Sequence, residues 1–188
     1  MFYTIWLSTV LFGLTLFEVN AGETALPEDV AKAQALINIA KFVTWPSTTS
    51  GVSTDAPMIF GIVGCDESFW AEVSKYVKGE TVCQRRLVIK RCQSRADLDV
   101  GCLDACSLVY ICKQLGETQT THALDLVRGK GVMTIGESED FIYRGGVMSI
   151  QVREGKLALA ANQQNADTEK LVLASQMLNL CRVVRRNR

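Results

Sequence analysis

At 188 residues the chain has the length of one domain plus a leader, since a domain takes roughly 100–200 residues. With 48% apolar residues it can bury a substantial core, and with 20 basic against 20 acidic residues its formal net charge is zero. That balance excludes long-range attraction to nucleic acid or to an anionic membrane as the basis of function.

The chain opens on an uncharged apolar run, Phe2 to Phe17, interrupted only by small or hydroxylic residues such as Thr4, Ser8, Gly13 and Thr15. Val19-Asn20-Ala21 then puts small residues at the positions a signal peptidase reads. Glu18 ends the run before the ~20 apolar residues that a membrane-spanning helix needs. The expectation is a secretory signal over 1–21, cut after Ala21, a mature domain over 22–188 with its core at about 30–184, and residence in the periplasm. Cysteine usage agrees with export. All seven, at 65, 83, 92, 102, 106, 112 and 181, fall in the mature part, where an oxidising compartment pairs some of them. The odd count leaves at least one thiol free or bridging two chains.

Val30 to Val43 predicts a helix, with Val30, Ala33, Ile37 and Ala40 at helical spacing and Leu36, Ile39 and Val43 widening the apolar stripe. Trp45-Pro46 ends it, because the residue before a proline is pushed out of helical geometry. Ser47 to Ala56 reads as a loop. Met58 to Gly64 is a buried strand, and Asp66 to Val77 a helix capped by Asp66 or Ser68 and closed at Gly79. Thr81 to Lys90 reads as a second strand, Ser94 to Val100 as a short helix and Ser107 to Cys112 as a third strand. Thr120 to Val127 is a helix stopped by Gly129, and Gly131 to Ile135 a fourth strand. Val147 to Arg153 and Lys156 to Ala161 flank Glu154-Gly155 as a hairpin. Thr168 to Val184 carries Leu171, Ala174, Ser175 and Leu178 along one face and predicts a closing helix. The alternation means an α/β fold: a single domain with a mainly parallel sheet flanked by helices and an added antiparallel hairpin.

A search for chemistry finds no expected catalytic, cofactor or metal site. Gly61-Ile62-Val63-Gly64 lacks the spacing and lysine of a phosphate loop, and no Gly-x-Ser-x-Gly elbow occurs. His122 is the single histidine, where a triad or a zinc site needs histidine in company. It reads as an exposed or capping residue. Cys102 and Cys106 have three residues between them and precede a strand, whereas a redox dithiol wants Cys-x-x-Cys at a helix N-terminus. A thiol-disulfide enzyme is therefore the weakest of the readings kept. Asp66-Glu67 and the group Glu137, Glu139 and Asp140 read as solvated caps and turns. Cys65 ends the first strand, and Cys106 and Cys112 bracket the third. If those strands are neighbours, Cys65 lies within reach of Cys112, or of Cys106 with a register offset, and Cys112 is the preferred partner. Open α/β sheets take small molecules beyond the carboxyl ends of their strands, here near Gly64-Cys65, Cys112-Lys113 and Gly136, so a small-molecule-sensing domain is an alternative function.

Several segments together resemble the YfiR family of periplasmic regulators over about Val30 to Val184. They are the 31–46 helix running into Trp45-Pro46, the 59–64 strand, and the cysteine-led strand from Cys106 to Ile111. Next come Phe141, Gly145 and Gly146 in a Phe-x-x-x-Gly-Gly turn, then Asn162, Ala166 and a final Ser175-x-x-Leu178 segment. Each motif is weak alone, and their order and spacing are specific together. The resemblance implies a non-enzymatic binding protein that holds down an inner-membrane diguanylate cyclase through the cyclase's periplasmic part, lowering cyclic-di-GMP. It also implies release by an outer-membrane lipoprotein, disulfides that support the fold, and homodimerisation. No nucleic acid and no cofactor are implied. The chain departs from the best-known member. Cys106 matches one of its bridging cysteines, but the opposing position is Gly61, and its second pair falls at Phe141 and Ser149. Trp45, Asn162 and Leu178 also have plain structural readings as core or turn residues, and Gly145-Gly146 as a turn.

Overall fold

The computed structural model describes residues 26–46 and 56–184. The expected signal segment, the loop over 47–55 and the arginines at 185, 186 and 188 lie outside the described residues. Helix α1 (Glu28–Lys41) begins at Pro27, with Glu28 and Asp29 in the first turn, where acidic side chains meet the positive end of the helix dipole. It ends at Lys41, before Trp45-Pro46, because Val43–Thr44 extends as a short strand, β1. Strand β2 (Met58–Val63) leads to Gly64, whose φ of +68° favours glycine. Helix α2 (Glu67–Val77) is capped by Asp66, which accepts from the Phe69 N–H.

The predicted strand over Thr81 to Lys90 is two strands, β3 (Thr81–Val82) and β4 (Arg85–Cys92), folded back on each other. The turn is Cys83-Gln84, both left-handed at φ 51° and 63°. Neither is a glycine or an asparagine, so the usual hairpin signal is missing from the sequence. Helix α3 (Arg95–Asp99) opens on a reciprocal Ser94–Asp97 capping box. Strand β5 (Cys106–Ile111), helix α4 (Glu117–Val127), strand β6 (Met133–Gly136) and the hairpin β7 (Met148–Arg153) with β8 (Lys156–Asn162) follow the predicted order.

The expected closing helix over Thr168 to Val184 does not form. Its place is taken by α5 (Gln163–Thr168), β9 (Val172–Leu173), α6 (Ser175–Leu178) and β10 (Cys181–Val184). Lys170 turns left-handed at φ 55°, Val172-Leu173 pairs with Thr44-Val43, and Cys181 to Val184 joins β8. Sheet partners on two sides override a helical periodicity that was real but weak.

The main sheet runs β10-β8-β7-β6-β5-β2-β4-β3, and β1 and β9 form a separate two-stranded ribbon. From β4 through β2, β5 and β6 to β7 the strands are parallel; β7–β8 is the antiparallel hairpin. Alternate residues feed two cores. Phe60, Ile62, Leu108 and Tyr110 pack with α1 and α2, while Val63, Val109 and Ile111 pack with α3 and α4. The fold is α/β, a single domain with a mainly parallel sheet between helical layers. Among the described residues, no helix is long and apolar enough to cross a membrane.

Candidate functional site

From β2 the chain crosses to β4 on one side, and from β4 it returns across β2 to β5. The sheet order therefore reverses between β2 and β5, the place where open α/β sheets form a crevice beyond the carboxyl ends of their strands. In this chain a disulfide lies there. Cys65, just after β2, is joined to Cys112, just after β5, with Cα atoms 5.2 Å apart. Both are buried, at 5% and 2% exposure. A second bridge, Cys92–Cys102, ties the end of β4 to the loop after α3. Sequence reasoning missed it because the ten-residue separation crosses a helix that the spacing alone does not fold back.

Above the first bridge is a cleft of about 370 Å³, lined by Glu28, Lys32, Phe69, Cys112, Lys113 and Glu137 among others. Lys32 from α1 is only 4% exposed and pairs with Glu28 and, at 3.2 Å, with Glu137. The Tyr110 hydroxyl, fully buried on β5, donates to the other Glu137 oxygen at 2.8 Å. The Tyr110 ring stacks on Phe69 with centroids 4.9 Å apart. Glu137, expected as a solvated turn carboxylate, is instead the hub of a buried polar network, its side chain 5% exposed. Burial works to lower the Lys32 pKa, but the hydrogen bond to Glu28 and the charge of Glu137 outweigh it and hold it above the ordinary value. Burial, reinforced by the Glu137 charge, pushes Tyr110 well above its ordinary value. A lysine held protonated and a tyrosine held neutral fix geometry; neither is poised as a nucleophile or a base at neutral pH.

The remaining predicted positions lie in turns, core edges and the surface away from this cleft. Phe141 sits on a 3-10 turn (Glu139–Tyr143), and a Cβ at Gly136 or Gly146 would drive into its ring. Gly145 adopts φ +105°. The Phe-x-x-x-Gly-Gly pattern is therefore an aromatic ring held between two close backbones. Asn162 accepts from the Asn165 N–H and donates to the Ile142 carbonyl at 2.9 Å. Asn165, which sequence reasoning passed over, donates to Ile142 and Gly146. Another missed residue, Glu169, is buried and accepts from the Gly129 and Gly131 amides at 2.8 and 2.9 Å. Trp45 and Leu178 are half-buried against one core, Pro46 packs over Gly131, and Ser175 begins α6 on the surface. His122 pairs with Asp99 at 2.8 Å, linking α4 to α3.

Cys106 takes no part in a bridge. Its thiol is buried and faces the Cys102 carbonyl at 3.9 Å. A Cβ on Gly61 would lie 3.1 Å from that sulfur. Burial pushes the Cys106 and Cys181 thiols up to about 11, away from the low values of reactive cysteines. Cys83 is free and exposed.

No curated protein matches the chain. Among solved structures it is similar to a conserved domain protein from Vibrio cholerae O1 biovar El Tor, with a TM-score of 0.56 and 11% identity over 85% of this chain. A comparable likeness holds to the ABC domain in complex with L-Trp from Streptococcus pneumoniae, with a TM-score of 0.55 and 9% identity over 81% of this chain. The matched region spans 60% of each of those chains. At such identities the likeness concerns fold alone. The model of the YfiR/HmsC-like family matches residues 29–182, from the second residue of α1 to the first half of β10. The chain belongs to the YfiR/HmsC-like family.

Proposed function

We propose that the protein is exported under its 1–21 segment and acts by binding, as an inhibitor of an inner-membrane diguanylate cyclase that lowers cyclic-di-GMP. The observation that carries this reading is the family match over 29–182. Inhibition follows if the protein binds the cyclase's inactive state in preference to its active one, because a ligand shifts an equilibrium only by its differential affinity. Bridges at the ends of β2, β4 and β5 suit that role by keeping the docking body rigid. An outer-membrane lipoprotein that competes for the same surface would release the cyclase, and self-association as a homodimer belongs to the same reading. The test is photo-crosslinking in the native host from exposed positions such as Val172 and Leu180, at 63% and 75% exposure. A crosslink to the periplasmic part of a membrane cyclase is the expected result. Crosslinks that never include one contradict it.

The cleft of about 370 Å³ at the switch point favours a second reading, a small-molecule-sensing domain. The Streptococcus domain of similar fold was solved with L-Trp, which is a property of that protein. A thermal-shift panel of aromatic metabolites and nucleotides tests the reading; no stabilisation by any of them removes it. A thiol-disulfide enzyme fares worst, since burial raises the Cys106 and Cys181 pKa values where catalysis needs them lowered.

A further inference from the structure

A second cleft opens at the opposite, amino edge of the sheet and has no part in the reading above. Its volume is about 320 Å³, near the lower end of the roughly 300–1,000 Å³ of small-ligand sites. Pro57, Ile59, Leu103 and Val132 give it a mainly apolar lining, with the unbridged Cys106 in its wall. Ala105, also in the lining, holds a left-handed φ of 62°, a conformation that costs an alanine energy and that the surrounding structure must enforce.

The charges at the cleft are unequal. Arg85 spends its Nε and one Nη on the carbonyls of Ala56 and Pro57, at 2.8 and 2.7 Å. Carbonyls orient a guanidinium but do not neutralise it, and among the described residues Arg85 has no carboxylate partner. Lys130 is 59% exposed and stands 4.0 Å from the rim carboxylate of Asp104, which is 75% exposed, so the pair is long and well solvated. Two cations therefore face one acid around an apolar pit.

We infer that this cleft binds a small amphiphilic anion, a carboxylate with a compact hydrocarbon body, which lays its apolar part on Ile59, Leu103 and Val132 and its charge toward Lys130 and Arg85. The hydrocarbon supplies affinity by leaving water, and the charge sets orientation.

Methyl-group NMR of the mature, oxidised protein titrated with butanoate, hexanoate and octanoate tests this. Shifts should be confined to the methyls that line the cleft, those of Ile59, Leu103, Val132, Ala56 and Ala105. Affinity should tighten about fourfold per added methylene until the cleft is filled. 1-Octanol should bind more weakly than octanoate. Lys130→Glu, a change at an exposed side chain, should weaken octanoate about fivefold or more at low salt and leave octanol unchanged. Ile59→Trp should block both. Shifts that map elsewhere, a flat chain-length series, or octanol binding as tightly as octanoate overturn the inference. Since the crevice above Cys65–Cys112 is at the other edge, these outcomes are independent of the regulatory reading.

Discussion

Glu137 shows how much one side chain can organise. It accepts from Tyr110, pairs with Lys32, and its own carbonyl accepts from Gln151 at 3.3 Å. A buried pair of this kind adds little net stability, but removing one partner leaves the other charge stranded. Glu137→Ala should therefore destabilise the fold by about 2–4 kcal/mol in urea unfolding, while Tyr110→Phe, which removes one hydrogen bond, should cost about 1–2 kcal/mol. Equal effects would mean that Lys32 is served by Glu28 alone. The raised pKa of the buried Cys106 thiol predicts an alkaline limb in the stability curve. Cys106 binds its proton more tightly folded, at about 11, than unfolded, near 9.0. Its contribution is full below that lower value and is lost as pH rises through the upper one. Lys32, also raised, works in the same direction. Stability should fall between about pH 9 and 11, and Cys106→Ser should reduce that fall by roughly 2–3 kcal/mol, read by urea unfolding at both ends of the window. None of this was legible in the sequence. Glu137 sits among Glu139 and Asp140 in a polar turn, and only the arrival of α1 over the sheet turns it inward.

At the scale of elements, the two bridges close loops of different length. Cys65–Cys112 encloses a 47-residue separation and Cys92–Cys102 one of 10. Loop-closure entropy assigns about 4 kcal/mol to the first and about 3 kcal/mol to the second. Alanine pairs at each bridge should rank in that order in melting experiments; the reverse order would place the stabilisation in native contacts instead. The Cys83-Gln84 turn offers a gain. Both residues are left-handed, so Gln84→Gly should stabilise by about 0.5–1 kcal/mol, measured by the same unfolding assay. Elements with their own local signals were readable: the Asp66 cap of α2, the apolar run of β2, the Glu154-Gly155 hairpin. Those set by distant partners were not. Val172-Leu173 becomes a strand because Val43-Thr44 lies alongside, and Cys181 to Val184 because β8 offers an edge.

For the molecule as a whole, strand and helix alternation disclosed the α/β class, and the order of weak motifs disclosed the family. The motif residues turn out to hold the fold: Phe141 between Gly136 and Gly146, Asn162 on the Ile142 turn, Pro46 over Gly131. A regulator that acts by binding leaves no such pattern for its docking surface, because exposed side chains carry no periodicity to read. The account therefore rests most on what the protein does in its cell. The direct measurement is cellular cyclic-di-GMP after deletion of the gene in its native host, with complementation by the full chain and by a chain lacking residues 1–21. The account predicts a rise that the exported protein reverses and the leaderless one does not. An unchanged level, or equal rescue by the leaderless chain, would contradict inhibition of a cyclase from the periplasm.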